Sequence, residues 1–294
     1  MRDLVIPICG LERLFENCLW AEGPAYFAAT DCVIWSDIPN NRILQWVEGL
    51  GTRPLTTSSN HANGNTIDRE GRLVSCEHQT RAVTRREHDG SRTVLATHSG
   101  GRRLNSPNDV VVKSDGSIWF TDPTYGILTD YEGERAEPEQ DGCYVYRLDP
   151  ETAEVEPVIK TMEKPNGLAF SIDEKRLYVS DTGVSHLAGG PHHIKAFELG
   201  ASGRPESESV FAEISPGVPD GFRLDEFGNI WTSSGNGVQV FAPDGSYLGR
   251  IVVPEAVANV TFGGAKNNRL FITATTSLYA IYVGVRGATR RKSF

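Results

Sequence analysis

A motif of about 15 residues occurs six times in this chain and constrains its fold more than any other feature. In each copy a carboxylate or carboxamide residue opens an apolar strand, a turn follows, and a second apolar strand ends 14 or 15 positions after the opening residue. The opening residues are Glu22, Asn63, Asn108, Asn166, Asp220 and Asn259. Successive copies are roughly 40 to 60 residues apart, which is typical of β architectures that repeat around an axis.

The remainder of each repeat predicts two further strands, so that each unit forms a four-stranded antiparallel blade. Alternating patterns, β-branched and aromatic residues, and turn pairs such as Asp115-Gly and Asp244-Gly support this interpretation. We therefore predict an all-β, six-bladed β-propeller that fills residues 1–294 as a single domain. Residues 1–16 would supply an outer strand that pairs with C-terminal residues and closes the ring, because an open ring would leave unpaired strand edges.

Charge narrows the class of partners. The 294 residues carry a formal net charge of −9, which argues against polyanions such as nucleic acid. We interpret the basic run from Arg286 to Lys292 as a solvated tail. No stretch approaches the ~20 apolar residues of a membrane span, and the apolar run at the N-terminus is too short for a signal peptide. The expected partner is therefore a small molecule, with no nucleic acid and no membrane, and the oligomeric state is left open.

Five scattered cysteines indicate the redox compartment. None of them forms a CxxC motif, a pattern that favours free buried thiols over disulfides or a zinc site. They are Cys9, Cys18, Cys32, Cys76 and Cys143. We expect a cytoplasmic location.

The six opening residues predict a cation site. Equivalent positions in a ring lie at equal radius, so their side chains should converge at one mouth of a central channel. Two are acids, Glu22 and Asp220, and four are amides, so all are oxygen donors. This donor set suits one divalent cation, most naturally Ca²⁺, with Mg²⁺, Mn²⁺ or Zn²⁺ as alternatives. The competing interpretation is that Asn-Gly and Asp-Gly pairs only turn the chain. Two acids facing a channel need a counter-charge, which favours the metal.

A cation with open coordination positions polarises a carbonyl or phosphoryl oxygen, which points to hydrolysis. Asp220 is the candidate base for the attacking water. A carboxylate bound to a cation has a lowered pKa and is a weak base, so Asp220 could instead orient a water that the metal has acidified. His61 and His78 are fallback bases.

Four motifs together resemble the gluconolactonase/senescence-marker-protein-30 (regucalcin) family. They are Trp20-Ala-Glu22-Gly-Pro, Asn105-Ser-Pro-Asn108-Asp, Lys164-Pro-Asn166-Gly and Val218-Pro-Asp220-Gly. The stretch Asn63-Gly-Asn-Thr-Ile-Asp, with Cys76-Glu-His78 and Leu104-Asn-Ser-Pro-Asn108, resembles the bacterial gluconolactonase branch more than the animal one. The resemblance covers nearly the whole chain. It implies a six-bladed propeller whose divalent metal is held by Glu22, Asn166 and Asp220, with Asp220 as the acid/base residue.

The resemblance leaves the role of Asn108 open. In the calcium-dependent phosphotriesterase branch the corresponding asparagine binds metal, whereas in the animal lactonases it contacts substrate. Those lactonases also use an arginine two positions earlier, where this chain has Ser106. Arg103 could reach the same pocket from a different place or could pair with a loop acid. Tyr125 could line the pocket or cap a blade.

We predict a metal-dependent hydrolase that opens a small sugar lactone such as glucono-1,5-lactone. Glu22, Asn108, Asn166 and Asp220 would hold the cation, and Asn63, Arg103, Asn108 and Tyr125 would bind the substrate. One alternative is a calcium-dependent organophosphate or ester hydrolase at the same site. Another is a non-enzymatic calcium-binding propeller. Two insertions, 124–141 and 183–193, interrupt the repeat and are expected over one face of the ring; whether the first moves as a lid is left open.

Overall fold

The computed structural model describes residues 4–6 and 8–288, which form six four-stranded antiparallel sheets. After β1 (Glu12–Phe15), blade 1 contains β2 (Ala21–Phe27), β3 (Cys32–Asp37), β4 (Arg42–Val47) and β5 (Gly51–Thr56). Blade 2 contains β6 (Ala62–Ile67), β7 (Leu73–Glu77), β8 (Ala82–Arg86) and β9 (Arg92–Ala96). A short hairpin follows, formed by β10 (His98–Ser99) and β11 (Arg102–Arg103).

The second half of the chain repeats the same pattern. Blade 3 contains β12 (Val110–Val112), β13 (Ile118–Asp122), β14 (Tyr144–Leu148) and β15 (Val155–Ile159). Blade 4 contains β16 (Pro165–Phe170), β17 (Arg176–Asp181), β18 (His193–Leu199) and β19 (Pro205–Glu213). Blade 5 contains β20 (Phe222–Leu224), β21 (Ile230–Ser234), β22 (Gly237–Phe241) and β23 (Tyr247–Val252). Blade 6 contains β24 (Val257–Gly263), β25 (Arg269–Ala274) and β26 (Ser277–Tyr282), with β1 as its outer strand.

The N-terminal strand closes the ring. β1 pairs antiparallel with β26, so that Glu12 lies opposite Ala280 and Phe15 opposite Leu278. The carboxylate of Glu12 also accepts a hydrogen bond of 2.7 Å from Arg269 Nη2. The six-bladed propeller and its closure by an N-terminal outer strand are therefore confirmed. The single-domain assignment over residues 1–294 includes residues outside the described ranges and stays a prediction, and the basic tail lies largely outside them.

The apolar core lies between neighbouring blades. Among the described residues, buried side chains form at least one apolar cluster between every pair of neighbouring blades, including blades 6 and 1. Trp35, Trp119 and Trp231 lie in the second strands of blades 1, 3 and 5 and are fully buried. Because each sheet is covered on both faces, its strands read as nearly continuous apolar runs. This packing is what makes the repeat visible in the sequence.

Both insertions contain a short helical segment. The first insertion contains a short helix, α1 (Tyr125–Leu128), and the second a 3₁₀ turn at Gly183–Ser185. All five cysteines are free, although Cys9 and Cys143 are only partly buried. Across residues 4–6 and 8–288, none of the helices has the length and apolar character that a membrane crossing requires.

Candidate active site

Backbone hydrogen bonds between adjacent inner strands hold the opening residues at a fixed distance from the propeller axis. Gly64 N donates to Asn108 O at 2.7 Å, Gly167 N to Asp220 O at 2.9 Å, and Gly221 N to Ala258 O at 2.7 Å. Each bond links the start of one blade to the start of the next. The opening residues are thereby fixed by the main chain at one end of the inner strands.

Hydroxyl side chains reinforce this arrangement. Ser36 Oγ donates to Asn63 O at 2.7 Å, and Thr121 Oγ1 donates to Asn166 O at 2.7 Å. Ser180 Oγ donates to Asp220 O at 2.8 Å. In each case a hydroxyl one position before the end of a repeat bonds to the opening residue of the next repeat. Our sequence reasoning missed these residues, although their fixed place in the motif was a usable signal.

Side chains from blades 1, 4, 5 and 6 meet at this mouth. Asn259 Nδ2 lies 3.2 Å from Glu22 Oε2 and donates to it, and Gly23 N donates to the same oxygen at 2.6 Å. The side chains of Asn166 and Glu22 lie next to the carboxyl of Asp220 and influence its pKa. The structure therefore brings Glu22, Asn166, Asp220 and Asn259 together, with Glu22 buried and Asp220 partly exposed.

Both of these neighbouring acids have raised pKa values. Burial, together with the nearby carboxylates of Glu132 and Asp109, raises the pKa of Asp220 to about 8. Burial also holds the pKa of Glu22 well above its usual range, with Asp220 as the second cause. Two neighbouring carboxyl groups with raised pKa values hold a proton more readily than free acids, so the pair is suited to exchange a proton for a cation.

The donor chemistry of the mouth fits a hard cation better than a soft one. Among the described residues, no group of three or more histidine, cysteine, aspartate and glutamate side chains is arranged to hold a metal ion. A cation here would rely on the two carboxylates and on carboxamide oxygens from Asn166 and Asn108. Such a mixed oxygen set is the kind that Ca²⁺ accepts.

Asn108 and Asn63 belong to blades 3 and 2, and both are buried. Asn108 N donates to Thr121 O at 2.8 Å, which fixes its backbone at the start of β12. Asn63 Nδ2 lies 3.3 Å from His78 Nε2. His78 is completely buried, and burial lowers the pKa of its imidazole to about 4. An imidazole with both nitrogens engaged in hydrogen bonds is poorly placed to serve as the fallback base.

Tyr125 and Arg103 have different surroundings. The Tyr125 hydroxyl lies 2.7 Å from Thr182 Oγ1 and 2.8 Å from Ser185 Oγ, so it joins the two insertions. Burial raises the pKa of Tyr125 to about 12, and the charge of Asp220 contributes. The guanidinium of Arg103 donates to Thr80 O at 3.0 Å, and its main-chain N–H donates to Glu139. These contacts tie Arg103 to the outer part of the first insertion.

Sequence reasoning missed Glu132, in the first insertion. Its charge is the second cause of the raised pKa of Asp220, so its carboxylate lies close to the mouth. Burial raises the pKa of Glu132 itself. Glu132 opens no repeat, and no motif marks it; only the path of the insertion brings it here.

The acids at the ends of the repeats accept hydrogen bonds that hold neighbouring main-chain segments in position. Asp181 accepts hydrogen bonds from Glu163 N at 2.8 Å, Lys164 N at 2.9 Å and Gly183 N at 3.1 Å. Asp122 accepts one from Asn105 N at 2.8 Å. These carboxylates hold the segments that lead into the inner strands, which explains why the motif ends in an acid in several copies.

Known proteins resemble this chain over most of its length. The model of the SMP-30/Gluconolactonase/LRE-like region matches residues 20–276. A gluconolactonase from Zymomonas mobilis is 30% identical, and the match covers 95% of this chain and 82% of that protein. The chain belongs to the SMP-30/gluconolactonase family. The resemblance inferred from its motifs is therefore confirmed.

Two other members of the SMP-30/gluconolactonase family are informative. The solved structure of a gluconolactonase from Xanthomonas campestris superimposes with a TM-score of 0.89 at 40% identity, covering 95% of this chain and 91% of that one. The pentonolactonase XacC of Haloferax volcanii is 29% identical, covering 87% of this chain and 82% of that protein.

Proposed function

We propose that this protein is a lactonase that hydrolyses a small sugar lactone, with glucono-1,5-lactone as the leading candidate. The observation that carries the proposal is the pair of neighbouring acids, Glu22 and Asp220, at the mouth of a gluconolactonase-family propeller. Relatives named for gluconolactone and pentonolactone hydrolysis support an aldonolactone as the substrate class.

One divalent cation, Ca²⁺ in our proposal, would be held by Glu22, Asn108, Asn166 and Asp220. When bound, the cation supplies a Lewis acid that polarises the lactone carbonyl and a counter-charge for the two acids. Cation binding at these two acids would be accompanied by loss of a proton from the pair. The pKa of Asp220 would then fall well below its value in the cation-free protein, so that this carboxylate is ionised at neutral pH.

Asp220 would guide the water that attacks the lactone. The water oxygen bonds to the carbonyl carbon while its proton passes to the Asp220 carboxylate. The bond between that carbon and the ring oxygen then breaks, and the departing oxygen takes the proton back from Asp220. The product is an open-chain hydroxy acid, and Asp220 is returned to its starting state. Its partial exposure gives a water access, whereas the buried Glu22 is positioned to stay a ligand.

The polar character of the mouth suits a hydroxylated substrate. Asn63 and Asn108 would present carboxamides to the sugar, and Tyr125 would line the wall with its ring. Lys164 Nζ lies 5.6 Å from the centre of that ring and is hydrogen-bonded to Thr124 Oγ1. The substrate-binding role of Arg103 would have to be exerted from the outer edge of the insertion, where its contacts lie.

A panel of substrates tests this proposal. Proton release should show aldono-1,5-lactones and aldono-1,4-lactones hydrolysed at least ~10²-fold faster than aliphatic lactones of the same ring size, because polar side chains that bind sugar hydroxyls are left unpaired by aliphatic substrates. A phosphotriester should react more slowly still. Preferential hydrolysis of the phosphotriester would replace the proposal with the organophosphate alternative, and no turnover of any ester would favour a binding protein.

A further inference from the structure

His78 makes two hydrogen bonds that connect the candidate site to the first insertion. Nδ1 of its imidazole lies 2.9 Å from the main-chain oxygen of Glu132, and Nε2 lies 3.3 Å from Nδ2 of Asn63. The ring is fully buried at the end of blade 2, next to β7. A single side chain thus touches both a residue at the channel mouth and the loop that covers it.

These contacts determine the protonation of the ring and the orientation of the amide. A carbonyl oxygen only accepts, so Nδ1 must carry the hydrogen. Burial lowers the pKa of His78 to about 4, so the imidazole is neutral and Nε2 is an acceptor. Asn63 must therefore turn its NH₂ towards Nε2, which directs Oδ1 away from His78. Across the described residues, no group donates a hydrogen bond to that oxygen.

The insertion is packed closely against the same ring. A Cβ atom added to Gly126 would lie 2.4 Å from Cγ of His78, and one added to Gly133 would lie 2.2 Å from Gly126 O and 3.2 Å from Cβ of His78. Glycine at both positions lets two turns of the insertion approach the imidazole. His78, Gly126 and Gly133 together form a contact that we call the latch.

We propose that His78 is a positioning residue that orients the Asn63 carboxamide for substrate and fixes the first insertion over the channel mouth. The latch also holds Glu132, whose carboxylate lies close enough to Asp220 to influence it. The insertion is therefore a fixed wall of the site rather than a mobile lid. Only the kinetic part of this inference rests on the proposed lactonase function.

Two substitutions separate the two hydrogen bonds. His78→Asn can keep an N–H donor near the place of Nδ1, facing Glu132 O, but it offers no acceptor to Asn63. His78→Gln can place an oxygen near Nε2, facing Asn63, but it has no donor at Nδ1. Both variants lose the packing of the imidazole ring. A difference between them therefore reports the two hydrogen bonds and not the lost packing.

The two variants should fail in different ways. We expect His78→Asn to lower kcat/KM for the lactone by about tenfold, the usual effect of leaving a buried polar group without its partner. Amide hydrogen exchange in residues 125–136 should stay slow. His78→Gln should keep kcat/KM within about threefold of wild type and should speed exchange in the same segment by tenfold or more. In an Asn63→Ala background, His78→Asn should have no further kinetic effect.

Equal changes in both readouts for the two variants would show that the ring only fills space and would overturn the proposal. So would an additive effect in the Asn63→Ala background. If neither variant folds, Gly126→Ala provides the exchange test, with Gly10→Ala as a control because a Cβ at Gly10 meets no atom within 4 Å. Faster exchange in Gly126→Ala alone supports the latch.

A measurement without substrate tests the tautomer directly. With ¹⁵N-labelled histidine, long-range ¹H–¹⁵N correlations should assign His78 as neutral and protonated at Nδ1. This result does not depend on lactone hydrolysis, so it separates a failure of the latch from a failure of the proposed function. Protonation at Nε2, or at both nitrogens at neutral pH, would overturn the orientation assigned to Asn63.

Discussion

At the scale of single residues, the role proposed for Asp220 comes with a cost to the stability of the cation-free protein. Its pKa is about 8 in the folded protein without a cation, against about 3.9 in an unfolded chain. The folded state therefore binds the extra proton between pH 4 and 8, and the free energy of unfolding of the cation-free protein falls as pH rises through that window. A cation that replaces the proton would restore the lost stability.

Asp220→Asn should separate these two roles. We expect kcat/KM for the lactone to fall by ~10³-fold, within the range for loss of a general base. In the cation-free state the variant should become more stable than wild type as pH rises from 5 to 9, because no carboxylate must ionise in the buried site. Lactone hydrolysis and thermal unfolding across this pH range measure both effects.

Asp181→Asn is the matched control. An amide at position 181 would turn its NH₂ towards main-chain N–H groups that now donate to a carboxylate. We expect a loss of about 2–3 kcal/mol in the free energy of unfolding, which denaturant titration would measure. If Asp220→Asn lowered the free energy of unfolding at pH 8 as much as Asp181→Asn does, the distinction would fail between the acid at the candidate site and the acids that hold the main chain.

Cation affinity should depend on pH through the same pair. Below pH 8 a bound cation must displace a proton, so affinity for Ca²⁺ should rise by up to about tenfold per pH unit and level off above pH 8. Isothermal titration calorimetry in buffers of different ionisation enthalpy would give both the affinity and the number of protons released. An affinity unchanged between pH 6 and 8 would count against Asp220 as a ligand.

At the scale of elements, β1 holds the ring closed. The ring of Phe15 packs 5.6 Å from that of the buried Trp35, measured between centroids, while β1 pairs with β26. Phe15→Ala should lower the free energy of unfolding by about 2 kcal/mol, because a partly buried aromatic contact is lost. Phe227→Ala, at a position that is 66% exposed, should change it by less than about 0.5 kcal/mol. Equal effects in denaturant titrations would argue against the closing role of β1.

The strands and the first insertion differ in how well the sequence predicts them. The strands were predictable because both faces of every blade are buried, which repeats one apolar pattern six times. Glu22 and Asp220 were predictable as neighbours because they open repeats in a closed ring. Glu132 and the contact between His78 and Asn63 were not, since they depend on how one insertion folds against blade 2. That path depends on the close approach of Gly126 to His78. This tertiary contact leaves no repeating pattern in the sequence.

At the scale of the whole molecule, a cation would connect blades that are far apart in sequence. Its proposed ligands come from blades 1, 3, 4 and 5, so binding should stabilise the folded ring as a unit. A Ca²⁺ concentration 100 times the dissociation constant should add about 2.7 kcal/mol to the free energy of unfolding. Thermal unfolding with Ca²⁺ and with chelator measures this difference. The difference should be small in Asp220→Asn, and an equal shift in that variant would place the cation elsewhere.

The most direct test of the central claim is lactone hydrolysis by protein stripped of metal and then resupplied with one cation at a time. Proton release from glucono-1,5-lactone would report turnover, and elemental analysis would confirm the metal content. We expect turnover to fall to the rate in buffer after chelation and to return with stoichiometric Ca²⁺, or with Mn²⁺, Mg²⁺ or Zn²⁺ if one of these fits better. Undiminished turnover by fully stripped protein would contradict a cation-dependent site at Glu22 and Asp220.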